Sequence, residues 1–244
     1  CAAQITGGYF ADPGVKDVPD LANIGHPLAE VDRDGNAVIT KLDGSGGCVS
    51  RATCIEQMLY EIHDPARYLQ PDVVADFSGV QFKEIGADRV AVTGASGTPA
   101  TGLLKVSVGY RDGWLGEGQI SYAGANCLAR GQLAIDLVRD RLAQISGALL
   151  EQRGELIGVN SVLPTTSASA CPAEVRMRYA ARCPDAQTAR AVGEEVEGLY
   201  LAGPAGGGGV TKGIREVLAI ASTLMPADRV AVTFEMQEVQ HETA

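Results

Sequence analysis

Apolar and polar positions alternate over short stretches in the first part of the chain, a pattern typical of β-strands. Residues 30–41 alternate around Asp34-Gly35, which is the strongest short signal for a β-hairpin. Further β-branched stretches are separated by turn signals, at residues 73–77, 80–85, 89–93 and 104–110. These stretches predict an antiparallel meander.

One helix is predicted between the hairpin and the meander. Thr53-x-x-Glu56 has the form of a capping box ahead of a run of apolar residues at helical spacing. Proline disfavours helix in the residue before it, so the helix is expected to stop at His63-Asp64-Pro65.

The second half of the chain combines helical and strand periodicity. From Cys127 to Leu149, apolar residues recur at helical spacings, which predicts a long amphipathic helix. Pro184-Asp185 opens a second helix. Strands are predicted at residues 156–162, 175–179 and 230–236.

The resulting order in the second half is strand, helix, strand, strand, helix, strand. It predicts an α/β (α+β mixed) fold with a mixed β-sheet and flanking helices. The chain would then divide into a loop, hairpin and meander region at 1–103 and an α/β region at 104–244.

Composition and charge exclude several function classes. The net charge of −10 opposes binding to nucleic acid or to an anionic membrane surface, because both need a basic footprint. No run approaches the roughly 18 apolar residues that a membrane span needs, so a cytoplasmic protein is predicted. Six scattered cysteines without a C-x-x-C pair, and three histidines, predict neither a disulfide scaffold nor a histidine-rich metal centre, whereas a carboxylate-rich metal site stays open.

The opening loop is the first candidate site. It is bent by glycine and carries Cys1, Asp12 and Lys16, a thiol and charged groups of the kind found in catalytic loops. The alternative is that its glycines and polar groups serve backbone turns. If a longer chain were cut before Cys1, the free amine could activate the thiol, as in an N-terminal nucleophile hydrolase; truncation of a reading frame is the alternative.

Two further candidates carry charged groups at predicted element ends. His63 with Asp64 could act as a general base, or His63 could cap the preceding helix. Arg111 and Asp112 are predicted in a turn between two strands, where the guanidinium could hold a carboxylate or phosphate; a simple turn with a surface ion pair is the alternative.

A glycine run offers a candidate cofactor site. Gly206, Gly207, Gly208 and Gly209 precede Lys212, so free backbone amides next to a cation could bind a phosphate, for example of coenzyme A. The spacing is not that of a P-loop. A structural loop where two backbones approach closely is the alternative.

Three motifs in this order resemble the acyclic terpene utilisation family. They are the opening stretch from Cys1 to Gly14, the stretch from Lys105 to Tyr122 that contains Tyr110-Arg111-Asp112-Gly113, and the stretch from Gly203 to Gly209. The resemblance implies a role in breakdown of citronellol- or geraniol-like compounds, or of related branched acids as coenzyme A thioesters. It also implies that an N-terminal portion of the family domain precedes this chain.

The leading hypothesis is a bacterial catabolic enzyme, a lyase or hydrolase acting on a branched carboxylic acid or its coenzyme A thioester. The opening loop, the Arg111 turn and the glycine run would converge on one pocket, with Cys1 as nucleophile or acid/base. A non-catalytic binding or assembly subunit is the alternative, and the N-terminal-cysteine hydrolase a second. The expected partner is a small molecule; homo-oligomer formation stays open.

Overall fold

The computed structural model describes residues 2–60, 62–145, 149–163 and 172–236. It contains two compact units, which we describe separately: Cys1–Val106 with Leu224–Ala244, and Ser107–Thr223. In chain order, the strands and α-helices are β1 (Pro27–Val31), β2 (Ala37–Lys41), α1 (Arg51–Leu59), β3 (Tyr68–Leu69), β4 (Val73–Asp76), β5 (Gln81–Gly86), β6 (Arg89–Thr93), β7 (Ser96–Pro99), β8 (Leu103–Ala123), α2 (Cys127–Leu142), β9 (Glu151–Ile157), β10 (Glu174–Cys183), α3 (Ala186–Glu197), α4 (Leu199–Ala202) and β11 (Gly208–Pro226).

The first unit contains two small antiparallel sheets, with strand orders β1-β2-β6-β5 and β3-β4-β7. The predicted hairpin is confirmed: β1 pairs with β2 around Gly35, which has a φ of +85°. The Asp32 carboxylate accepts hydrogen bonds from the backbone N–H groups of Asp34 and Asn36, both at 2.9 Å, and so fixes this turn.

The meander prediction is wrong in its pairing. β5 and β6 pair as expected, but β4 pairs with β3 and β7 in the other sheet. The period-two pattern identifies strands without specifying their neighbours, because pairing depends on contacts between distant parts of the chain.

Helix α1 begins three residues earlier than its predicted capping box. The N-cap is Ser50, whose hydroxyl accepts a hydrogen bond from the Thr53 backbone N–H at 3.2 Å, while the Thr53 hydroxyl accepts one from the Ser50 N–H at 3.0 Å. Thr53 is therefore inside the helix instead of capping it. At the other end, Tyr60 is already extended, so α1 ends well before Pro65.

The second unit has the order β8, α2, β9, β10, α3, β11 and the sheet order β11-β8-β10-β9. This βαββαβ arrangement, with its strands ordered 4-1-3-2, is the split βαβ topology of ferredoxin-like domains. The α/β mixed class with flanking helices is thus confirmed, and the sheets are open and antiparallel.

The core of this unit lies between the sheet and its helices. Alternate residues of β10, including Val175, Met177 and Tyr179, are buried together with Ile135 and Val138 of α2. The intervening residues of β10 point to the opposite face, because successive side chains of a strand alternate.

Two strand predictions in this half are corrected. β9 ends at Ile157 instead of beginning near 156, because Gly158 follows with a φ of +87°. The last strand is β11, whereas the predicted strand at 230–236 has no regular structure and exposes Val232 and Phe234. Apolar alternation forms a strand only where a neighbouring backbone completes its hydrogen bonds. Within the described residues, no helix is long and apolar enough to span a membrane.

Candidate functional site

A trough runs along helix α1 in the first unit; we call it the α1 groove. It consists of two adjoining cavities of about 840 and 600 Å³, which share Arg51, Ile55 and Phe82 in their walls. The walls come from the opening loop, from α1 and from β5, an edge strand of its sheet. Volumes of this order are usual for small-molecule sites.

One end of the α1 groove is charged. Its cations are Lys16, Arg51 and Lys83, and its carboxylates are Glu56 and Glu84. Glu84 Oε1 accepts a hydrogen bond from the Arg51 backbone N–H at 2.9 Å, which places its negative charge at the positive end of α1. The side chains of Arg51 and Lys83 form no ion pair or hydrogen bond with any residue that the structure describes.

Lys16 reaches this end from the opening loop. Its Nζ lies 4.7 Å from the centre of the Phe10 ring, a cation–π contact, and 3.7 Å from Glu56 Oε2. Both partners of the ion pair are about half exposed, so the pair contributes little stability.

The other end of the α1 groove is apolar. Its lining consists mainly of aliphatic and aromatic side chains: Ile55, Met58, Leu59, Ile62, Pro65, Phe77, Val80 and Phe82. Leu59 is 71% exposed, although it is a large apolar residue. Phe82 also packs against the buried cluster of Val49, Cys54 and Val90, so this wall is anchored in the core of the unit. A cationic end joined to an apolar trough can bind an amphipathic anion.

The opening loop is held by hydrogen bonds to later segments of the chain and by a turn within the loop. The Thr6 hydroxyl, which is fully buried, donates to the Gly25 carbonyl at 2.6 Å, and the Thr6 carbonyl accepts from the Cys48 N–H at 2.9 Å. Asp12 and Lys16 exchange two backbone hydrogen bonds, at 2.9 and 2.7 Å, which close a tight loop. The loop therefore presents Lys16 to the α1 groove.

The other candidates of this loop are placed differently. The Asp12 carboxylate is exposed and does not line the α1 groove. Cys1 lies outside the described residues, so its predicted role as nucleophile stays a prediction.

His63 and Asp64 lie beside the apolar end, since their neighbours Ile62 and Pro65 line it. The suggestion that His63 caps α1 is wrong, because the helix ends at Leu59. Asp64 Oδ1 accepts a hydrogen bond from the Ala66 N–H at 3.1 Å and stabilises a turn. His63 is exposed, and no contact with a described residue orients its ring for base catalysis.

Arg111 and Asp112 do not form a turn in the second unit. They lie inside the 21-residue strand β8, where Gly113, with a φ of +88°, interrupts the regular backbone without reversing it. Arg111 Nε lies 3.2 Å from Glu216 Oε1, and Asp112 Oδ2 accepts a hydrogen bond from Arg182 Nη1 at 3.1 Å. Both side chains thus have partners on neighbouring strands.

The glycine run does not form the expected nest of amides. Gly208 and Gly209 begin β11, and Lys212 Nζ lies 2.5 Å from Glu197 Oε2 on α3. Gly207 packs near Ile120, nine positions along β8 from Arg111, which corresponds to about 30 Å of strand. Within this unit, Arg111 and the glycine run therefore do not share one pocket.

Arg176 and Arg178 were not among the site residues predicted from the sequence. They alternate with the buried residues of β10 and lie on the sheet face that the helices leave open. Arg176 Nη1 donates to the Gly209 carbonyl at 3.2 Å, and Arg130 Nη1 donates to the Ala205 carbonyl at 2.8 Å next to Gly206, so both arginines lie beside the glycine run. The signal available in the sequence was three arginines at even positions of one alternating strand, with Arg182 as the third.

Three of the four described free thiols are poor nucleophiles. Burial raises the pKa of the Cys48 and Cys183 thiols, and it raises that of Cys54 to about 11. These groups are protonated at neutral pH, whereas nucleophilic attack needs the thiolate. The described residues also contain no group of three or more His, Cys, Asp and Glu side chains able to hold a metal ion.

Comparison with known proteins adds one finding. The family model described as "Acyclic terpene utilisation family protein AtuA" matches residues 1–236. No curated protein and no solved structure gives a significant match.

Proposed function

Since the chain belongs to the acyclic terpene utilisation family, we propose that its α1 groove binds a branched acyclic carboxylic acid. The hydrocarbon would lie along Ile55, Met58 and Phe82, and the carboxylate would bind Arg51 at the charged end. The observation that carries this proposal is the pairing of a guanidinium without a described counter-ion with a continuous apolar trough.

The chemistry of each end supports this ligand class. Arg51 can bind a carboxylate through two parallel hydrogen bonds, and Lys16 and Lys83 add positive charge. Branched hydrocarbon is favoured by apolar walls, at about 25 cal/mol for each Å² removed from water. A terpene-derived acid combines both features in one small molecule.

A coenzyme A thioester of the same acid is the alternative ligand. Its acyl chain would occupy the same trough, but its thioester carbonyl carries no full charge for Arg51. Measuring the binding of the free acid and of the thioester therefore distinguishes the two ligands, because loss of the Arg51 charge should weaken binding of the free acid more strongly.

We propose a lyase or hydrolase reaction within the catabolic role that the family resemblance implies. In the α1 groove, Glu56 and Lys16 are the groups placed to exchange protons with a ligand. The nucleophile predicted from the sequence is Cys1, and both this role and processing before Cys1 stay predictions. A cytoplasmic location also stays a prediction.

A non-catalytic binding subunit is the second candidate function. The exposure of Leu59 at the rim favours it, because exposed apolar side chains beside a groove also occur at binding surfaces. Turnover of the bound acid or thioester would exclude this candidate, whereas binding without product would support it.

The proposal can be tested by calorimetric titration of the full chain with citronellic acid, the acid that corresponds to citronellol. Leu59→Asn places a polar side chain in the apolar lining and should weaken binding about tenfold, a loss of about 1.4 kcal/mol. Val31→Asn is the matched control, because Val31 is also exposed, at 64%, but does not line the α1 groove. Equal affinity of wild type and Leu59→Asn would contradict the proposal.

A further inference from the structure

A second cluster of polar groups lies on the open face of the sheet in the second unit, centred on Arg176. Its guanidinium donates to Gln119 Oε1 at 2.6 Å, to Ser121 Oγ and Thr211 Oγ1 at 2.9 Å, and to the Gly209 carbonyl at 3.2 Å. All four acceptors are neutral. Among the described residues, no carboxylate forms an ion pair with Arg176.

Arg178, two residues along the same strand, differs from Arg176 because its hydrogen-bond partners are carboxylates. It donates to Glu117 Oε2 at 2.6 Å and to Glu155 Oε1 at 2.9 Å, and Glu155 is also paired with Arg153. The charge of Arg178 is thus compensated locally, whereas the charge of Arg176 is held in place by neutral groups and left uncompensated.

Some hydrogen-bond donors of the Arg176 cluster have no acceptor among the described residues. An arginine has five N–H donors, and four are used here. The Ser121 and Thr211 hydroxyls both accept from the guanidinium, so each keeps its own O–H for another partner, and none is present among the described residues. One N–H and two O–H donors therefore remain around one positive charge.

The site is accessible on this face. Arg176, Gln119 and Ser121 are half-buried and Thr211 is exposed, whereas Val175 and Met177 point to the helix-covered face. Gly208 borders open space, since a Cβ atom placed there would meet no atom within 4 Å. A ligand with several oxygens could approach the cluster without moving the backbone.

We propose that the Arg176 cluster binds a phosphate group. A phosphate offers three or more acceptor oxygens to the three unused donors, and its charge compensates that of Arg176. The arginine is positioned before binding by its four neutral acceptors, which lowers the cost of ordering it. This site uses none of the residues of the α1 groove, so the proposal stands or falls independently of that groove.

The test is a calorimetric titration of the full chain with inorganic phosphate, at an ionic strength held constant with chloride. The double variant Ser121→Ala, Thr211→Val removes both hydroxyl donors and keeps the guanidinium; it should weaken phosphate binding about tenfold or more. Arg176→Gln should weaken it at least as much. Arg190→Gln, which removes an exposed arginine of α3 with no partner among the described residues, should leave phosphate binding unchanged.

Phosphate binding by the wild type with these losses would establish the site. The proposal would be overturned if wild type bound no phosphate, if Arg190→Gln weakened binding as much as Arg176→Gln, or if acetate bound as tightly as phosphate. It would also be overturned by unchanged affinity in the hydroxyl double variant. Circular dichroism shows whether each variant is folded, and the double variant decides the question if Arg176→Gln is not.

Discussion

Glu84 and Arg51 are joined by a hydrogen bond from the Arg51 backbone N–H to Glu84 Oε1, at 2.9 Å. The bond connects edge strand β5 to the first residue of α1 and satisfies one of the N–H groups that a helix start leaves without a partner. It engages the backbone of Arg51 and leaves its guanidinium without a partner among the described residues. The bond thus stabilises helix α1 without neutralising the positive charge of the Arg51 guanidinium in the α1 groove.

Replacing Glu84 tests this relationship. Glu84→Gln removes the negative charge at the start of α1 and should lower the free energy of unfolding by about 0.5–1 kcal/mol. Urea denaturation at neutral pH measures the change. Asp43→Asn is the control: it also removes an exposed carboxylate of the first unit, but one with no hydrogen bond to the start of α1, and a loss as large as that of Glu84→Gln would refute the capping role.

Close packing of α3 on β8 gives a second prediction. A Cβ atom at Gly116 would lie 2.0 Å from the Ala189 carbonyl oxygen, so Gly116→Ala must move the helix away from the sheet. We expect a loss of about 1–3 kcal/mol or more in the free energy of unfolding. Gly213→Ala is the matched control on β11, where the new Cβ would meet no atom within 4 Å. Similar stabilities of the two variants would contradict this packing.

The decrease in the free energy of unfolding at low pH should depend on Glu117. The hydrogen bond from Arg178 lowers the pKa of the Glu117 carboxyl below its usual 4.5, and a hydrogen bond from Gln119 lowers it further. The unfolded chain lacks these bonds, so the stability contributed by Glu117 is fully present above its usual pKa and is lost as the pH falls through its lower folded pKa.

Glu117→Gln removes this titration. The variant should be less stable than wild type at neutral pH and should lose less stability on acidification, as measured by urea denaturation over a series of pH values. Glu174→Gln, an exposed carboxylate at the start of β10, should keep the wild-type acid dependence. An unchanged acid dependence in Glu117→Gln would show that Arg178 does not favour the charged form of this carboxylate.

Local features of the fold could be predicted from the sequence. The hairpin depends on Asp34-Gly35 and on the Asp32 side chain, which are all within one turn. The first five elements of the second unit followed in kind and order from periodicity, because each carries its own apolar pattern, but its last strand was expected at residues 230–236 and is β11 instead. Errors arose where the structure depends on partners elsewhere in the chain, as in the pairing of β4 and in the exposed residues 230–236.

The candidate sites were harder to predict for the same reason. Of the α1 groove, only Lys16 was a candidate from the sequence, since Arg51 and Phe82 come from a helix and a strand about 30 positions apart. Arg176 forms a candidate site only together with Ser121 and Thr211, which belong to two other strands. Glycine-rich and charged motifs indicated where chemistry could occur, but strand pairing decides which side chains meet.

The central claim is that Arg51 binds the carboxylate of an acyclic branched acid in the α1 groove. The most direct test compares the dissociation constants of citronellic acid and citronellol, which share a hydrocarbon chain, for wild type and Arg51→Gln. The variant should bind the acid about tenfold or more weakly and the alcohol nearly as well as wild type. The control Arg33→Gln, an exposed arginine of the β1–β2 turn, should leave both constants unchanged. Equal binding of the acid by wild type and Arg51→Gln would show that Arg51 does not bind the carboxylate.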